Sequence, residues 1–177
     1  MAIPRRNASP QNARAALRTF FVSSCTWGRR ATLQSQRSAG LLIEVLYEYR
    51  AQGRYRLHEF VVMPDHFHLL ITVGADMTIE RAVQLIKGGF AYRAGRELGR
   101  RPPIWQKGFS ELRVLEPVAY AHQCEYIRCN PVVRGLAARP EEFPFSSAFP
   151  GFDLDAAPQG LKPREARASF GTAEAVP

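Results

Sequence analysis

The sequence predicts an α+β domain: a ferredoxin-like antiparallel sheet with helices packed on one face. Three observations predict it. Runs of strand type and helix type follow in the order strand, helix, strand, strand, helix, strand, helix, the split β-α-β arrangement. The second and third strand runs are separated only by Pro64-Asp65, a hairpin spacing. The chain has 177 residues, 46% of them apolar, which suffices for one core and one domain.

The elements are justified in order. Residues 1–17 hold Pro4, Pro10 and several arginines, and are expected to form a basic flexible arm. Thr19 to Thr26 (TFFVSSCT) is aromatic and β-branched, hence a strand. A basic loop follows with Trp27, Gly28, Arg29 and Arg30. Ala39 to Ala51 has Leu42, Val45, Leu46 and Tyr49 at helical spacing, and Gly53 closes it. Tyr55 to Met63 and His66 to Val73 are the hairpin strands. Thr78 is placed to cap a helix over about 79–98, where Gly88-Gly89 points to close backbone approach. Ile104 to Gln106 and Phe109 to Leu115 read as short strands. Glu116-Pro117 opens a last helix through Tyr126 towards Asn130, and Pro131 biases Asn130 against further regular helix. The domain is expected to occupy 18–150. Residues 151–177 turn to Ala, Pro, Gly and charge and are expected to be a disordered tail.

Charge narrows the partners. The net charge is +8, and 21 of the 24 basic residues are arginine, whose planar fork suits phosphate. Either a polyanion such as nucleic acid or an arginine-favouring GC-rich genome explains this. Between Arg81 and Lys107 seven basic residues meet one acid, Glu97, so a helix and loop could track a nucleic-acid backbone. Trp27, Tyr92, Trp105 and Phe109 are base-stacking surfaces or core residues. Three cysteines without a C-x-x-C pair make neither a disulfide framework nor a zinc knuckle. No apolar run is long enough for a membrane span, and the N-terminus lacks a signal peptide's apolar centre. The expected location is the prokaryotic cytoplasm, with nucleoid association.

Two local patterns can carry chemistry. His66-Phe67-His68 lies in a strand, so both imidazoles share one face, near the reach of a single metal ion. Hydrogen-bonded strand histidines would show the same spacing. Tyr126 and Asn130 are four apart and share a helix face. Tyrosine can act as a nucleophile when a metal or base assists its phenol, and it can equally be a half-buried aromatic. A water-activating phosphoesterase using His66, His68 and Asp65 is a further reading of these residues.

Four stretches resemble one family: FVVMPDHFHLLITV (Phe60 to Val73), TIERAVQLIKGGFAYRAGREL (Thr78 to Leu98), IWQKGFSE (Ile104 to Glu111) and YIRCNPVVRGLAARPEEFPFSSA (Tyr126 to Ala148). Together with the first strand they cover roughly 18–149, and their order is highly specific. The chain is similar to the REP-associated tyrosine transposases, within the single-tyrosine HUH transposases. The resemblance implies metal-dependent cleavage and strand transfer of single-stranded DNA through a 5′-phosphotyrosine, at hairpin-forming repeats. It implies His66, His68 and Asn130 as metal ligands, Mg²⁺ or Mn²⁺ as the ion, and Tyr126 as nucleophile. Arg29, Arg30, Lys87, Arg93 and Arg96 are then the expected DNA contacts. The protein is expected to act as a monomer or homodimer. Two positions depart from the pattern. More distant members carry glutamine where this chain has Asn130, and relatives often place a histidine where this chain has Leu112. A domesticated, non-cleaving hairpin-binding protein of the same fold is the alternative.

Overall fold

The computed structural model describes residues 17–158 and 161; the arm expected over 1–17 lies outside them except for Leu17, as do 159, 160 and 162–177 of the expected tail. The elements are β1 (Leu17–Cys25), α1 (Gln36–Ala51), β2 (Arg56–Met63), β3 (His66–Gly74), α2 (Ile79–Leu98), β4 (Ser110–Val114) and α3 (Pro117–Val133). The strands form one sheet in the order β2-β3-β1-β4, with every neighbouring pair antiparallel. β1 and β2 therefore run parallel with β3 between them, as the split β-α-β unit requires. The α+β antiparallel class holds. The expected strand over 104–106 is reduced to a single bridge between Thr26 and Trp105.

Side-chain alternation along β3 divides the interior in two. Phe67, Leu69, Ile71 and Val73 face a large core that Leu42 and Leu46 of α1 and Val83, Ile86 and Phe90 of α2 complete. Leu70 faces a smaller core with Val61, Met63, Val114, Phe143 and Ile127 of α3. The helices are thus not all on one face: α1 and α2 cover one side and α3 covers the other. Both faces of β3 are buried, so each needs a covering layer. α3 also buries little of itself, only Ile127, Asn130 and Pro131.

Two joints depart from the expected pattern. α3 runs past Asn130 to Val133 with Pro131 inside it. The proline ring removes one amide, so the Ile127 carbonyl loses its usual helical donor, and the helix ends within a turn. The domain also extends beyond 150. Phe152 and Leu154 pack on the large core, and the Asp155 amide donates to the Leu57 carbonyl (2.9 Å) while its carboxylate accepts from the Leu57 amide (2.7 Å). Arg50 Nε clamps the same carboxylate at 2.8 Å. Upstream, Val62 N–H donates to Phe145 O (2.8 Å) and Ser147 N–H to Phe60 O (2.9 Å). The chain after α3 thereby occupies the outer edge of β2.

Candidate active site

β3 is a central strand, and its first turn of alternation sets both histidines on the α3 face. His66 and His68 are buried, with ring centroids 4.8 Å apart. Asp65 Oδ1 lies 2.6 Å from His66 Nδ1, so this nitrogen donates to the carboxylate and Nε2 is left free to accept. Burial pushes the Asp65 carboxyl up, but the hydrogen bond from His66 and the Arg29 guanidinium at 3.3 Å hold it below its ordinary value. His68 has no such partner: its Nδ1 is buried without a hydrogen bond. Burial lowers its pKa to about 3, helped by His66, Arg134 and Arg29. His68 is therefore a neutral imidazole, the form that ligates metals.

α3 brings the tyrosine to this pair. The Tyr126 ring stands edge-on to His68 (centroids 5.3 Å, 68°) and to Phe21 of β1 (5.7 Å, 80°). Phe21 in turn stacks on His68 at 5.3 Å and 22°. Tyr126 is 46% exposed, so its phenol is open to a substrate. One helical turn on, Asn130 is buried and its Oδ1 has no partner.

A divalent ion fits this chemistry. Two buried polar atoms, His68 Nδ1 and Asn130 Oδ1, lack hydrogen bonds, a costly state unless something else satisfies them. Among the described residues no group of three or more His, Cys, Asp or Glu side chains gathers, and the unpartnered amide oxygen of Asn130 would be a further donor. The amide oxygen suits a hard ion such as Mg²⁺ or Mn²⁺, and the two imidazoles shift the preference towards Mn²⁺.

α3 is held over the sheet by a buried acid. Glu59 of β2, 3% exposed at its side chain, accepts from Arg128 of α3 and from Ser147 Oγ (2.5 Å). One carboxylate thus ties β2, α3 and the segment after α3. Sequence spacing gives no sign of it, because the three partners come from distant parts of the chain. Phe21 was legible in principle, as a period-two aromatic of β1; Asp65 as the partner of His66 was not singled out.

The basic residues divide. Arg29 reaches Asp65, and Arg30 is exposed in the same turn. Lys87, Arg93 and Arg96 do not line the histidine face as a track beside the site requires. They lie on α2, across the sheet, and each is engaged. Lys87 Nζ donates to the carbonyls of Gln106 (2.8 Å) and Gly108 (2.7 Å), and burial lowers its pKa to about 8. Arg93 pairs with Glu44 and Glu97, and Arg96 donates to the Tyr92 hydroxyl. Leu112 of β4 pairs with Phe21 and is exposed beside the site. No helix among the described residues is long and apolar enough to cross a membrane.

The sheet with its three helices is the fold of a transposase domain. The family model described as "Transposase IS200 like" matches residues 20–130, from within β1 to Asn130, and the chain belongs to that family. More particularly, it is similar to a solved REP-associated tyrosine transposase bound to a REP hairpin. Identity is 25% and the TM-score 0.63, over 92% of this chain and 94% of that one. A structure of a candidate transposase from Deinococcus radiodurans R1 shares the fold, at 21% identity and a TM-score of 0.51, over 71% of this chain and 95% of that one. No curated protein matches the chain.

Proposed function

We propose that the protein cleaves and rejoins single-stranded DNA at hairpin-forming repeats, with Tyr126 as nucleophile and His66, His68 and Asn130 as ligands of a divalent ion. The observation that carries this reading is the cluster of Phe21, His68 and Tyr126, in which an exposed phenol meets a neutral, unpaired imidazole. The hairpin substrate is argued from the solved relative, which is bound to a REP hairpin.

Each residue has a defined task. Asp65 fixes the His66 ring through Nδ1. Phe21 fixes the His68 ring by stacking. The Glu59–Arg128 pair seats α3, and with it Tyr126, over the sheet. The phenol loses its proton, the Tyr126 oxygen bonds to phosphorus, and the phosphorus–O3′ bond breaks. The leaving oxygen takes a proton and becomes a 3′-hydroxyl. A second 3′-hydroxyl reverses the step and releases Tyr126. The ester is conserved throughout, so no nucleotide cofactor is needed. A bound Mg²⁺ or Mn²⁺ supplies Lewis acidity at a phosphate oxygen. The reaction belongs in the cytoplasm, at the nucleoid, with the protein acting as a monomer or homodimer.

The test is a denaturing gel with labelled hairpin DNA and Mg²⁺ or Mn²⁺. Wild type should give a protease-sensitive covalent adduct, and Tyr126→Phe none. Equal cleavage by both would refute the tyrosine as nucleophile. Leu112, which stands beside Phe21 where relatives often carry histidine, favours one other reading: a non-cleaving hairpin-binding protein. That reading predicts retained binding and no adduct from wild type.

A further inference from the structure

One aromatic residue next to the histidines has no task in this scheme. β1 ends at Cys25, which pairs with His66. Beyond it the chain folds into a 3-10 turn, Trp27–Arg29, where Gly28 (φ 60°) and Arg29 (φ 55°) take left-handed backbone. Such backbone is unfavourable for a residue with a Cβ, so the surroundings must impose it on Arg29. They do so with main-chain bonds on two sides. Thr26 N–H donates to Asp65 O (2.9 Å) and Trp27 N–H to Ile104 O (2.9 Å). The Thr26 hydroxyl lies within 2.6 Å of Arg30 O and 3.0 Å of Asp65 O.

The result is a tryptophan with an anchored backbone and a ring that is left partly open to solvent. Trp27 is 45% exposed. Trp105, the other tryptophan, shows the contrast: its ring meets Phe67 and Phe90 edge-on, and its Nε1–H donates to Lys87 O. Arg29 and Arg30 follow Trp27 within three residues and both are exposed, Arg29 also reaching the Asp65 carboxylate at 3.3 Å. By strand geometry, the Trp27 backbone lies on the order of 10 Å from that of His66.

We propose that Trp27 is a stacking platform for an unpaired DNA base adjoining the scissile phosphate, with Arg29 and Arg30 meeting the neighbouring backbone charge. An exposed ring beside cations is the chemistry that holds single strands, because every base offers a π face and every linkage a charge. The anchoring matters, since a backbone already fixed loses little freedom on binding. The inference rests on the DNA reaction proposed above and adds to it a contact that selects unpaired flanks over a bare duplex.

The experiment uses the full chain and hairpin DNA with short single-stranded flanks. Binding should quench tryptophan fluorescence. Trp27→Phe keeps a ring and should bind nearly as wild type, with the quench lost. Trp27→Ala should bind roughly 5- to 100-fold more weakly, with unchanged thermal unfolding. Replacing flanking nucleotides one at a time by abasic sites should reveal one position where wild type and Trp27→Ala become equal. Trp27→Ala binding like wild type, or a quench that survives Trp27→Phe, overturns the platform. If wild type still forms the covalent adduct in that case, the tyrosine reaction stands alone. If wild type neither binds nor forms an adduct, the reaction falls and the platform with it.

Discussion

Asp65 determines which nitrogen His66 presents. Its carboxylate accepts a hydrogen bond from Nδ1–H, which leaves Nε2 as the acceptor. Asp65→Asn should therefore weaken Mn²⁺ binding by about 10- to 100-fold, as measured by calorimetry, with little change in thermal unfolding. An unchanged affinity would mean that His66 needs no such orientation. This contact was not read from the sequence, although Asp65 precedes His66 directly. The His66–His68 pair was legible because side-chain alternation along a regular strand is a local rule. The unpaired state of His68 and Asn130 was not legible, because it depends on what α3 brings to the sheet.

At the scale of elements, two joints invite measurement. In the Glu59–Arg128 pair the acid is buried and the arginine side chain is 52% exposed. The two halves should therefore differ when removed. Arg128→Met leaves a buried carboxylate without its cation and should cost about 3 kcal/mol. Glu59→Gln leaves an arginine that water can reach and should cost about 1 kcal/mol. Urea unfolding compares them, and the reverse order would show that Arg128 is not what compensates Glu59. The second joint is the approach of α2 to α1. A Cβ on Gly89 would come within 2.9 Å of Tyr49 Cε2 and 3.2 Å of Val45 Cγ1, whereas one on Gly88 would meet nothing within 4 Å. Gly89→Ala should destabilise by about 1–3 kcal/mol, and Gly88→Ala should stabilise by about 0.5–1 kcal/mol. The glycine pair was visible in the sequence as a sign of close packing. Which of the two is in contact was not, because that depends on helix phase against a neighbour. For the same reason the charge of α2 was legible and its side of the sheet was not.

For the whole molecule the informative variable is pH. His58 is buried, with its Nδ1 donating to Asp155 O (3.2 Å) and its Nε2 accepting from Thr72 Oγ1 (2.8 Å). Burial lowers its pKa, as it does that of His68. In the unfolded chain both histidines take protons below about 6.5, while in the folded protein they resist. Stability is thus fully present above about pH 6.5 and declines as pH falls below it, by up to about 1.4 kcal/mol per pH unit for each histidine. The carboxyls of Asp65 and Asp155 are held below their ordinary value of 3.8, so their loss lies at lower pH. Thermal unfolding between pH 7.5 and 4.5 should show the slope, and His58→Gln should reduce it. A flat profile would mean that these histidines are open to water.

The chain that returns along β2 has an effect on how copies of the protein meet. A sheet grows by offering unpaired amides and carbonyls to a new strand, and Phe145, Ser147 and Asp155 already take those positions on β2. Among the described residues that leaves β4 as the side on which a foreign strand could add. β4 is five residues long and carries Glu111 and Arg113, a short charged margin of the kind that discourages such addition. Changes that lengthen or neutralise this margin should therefore show first as aggregation, with the fold and the histidine site intact.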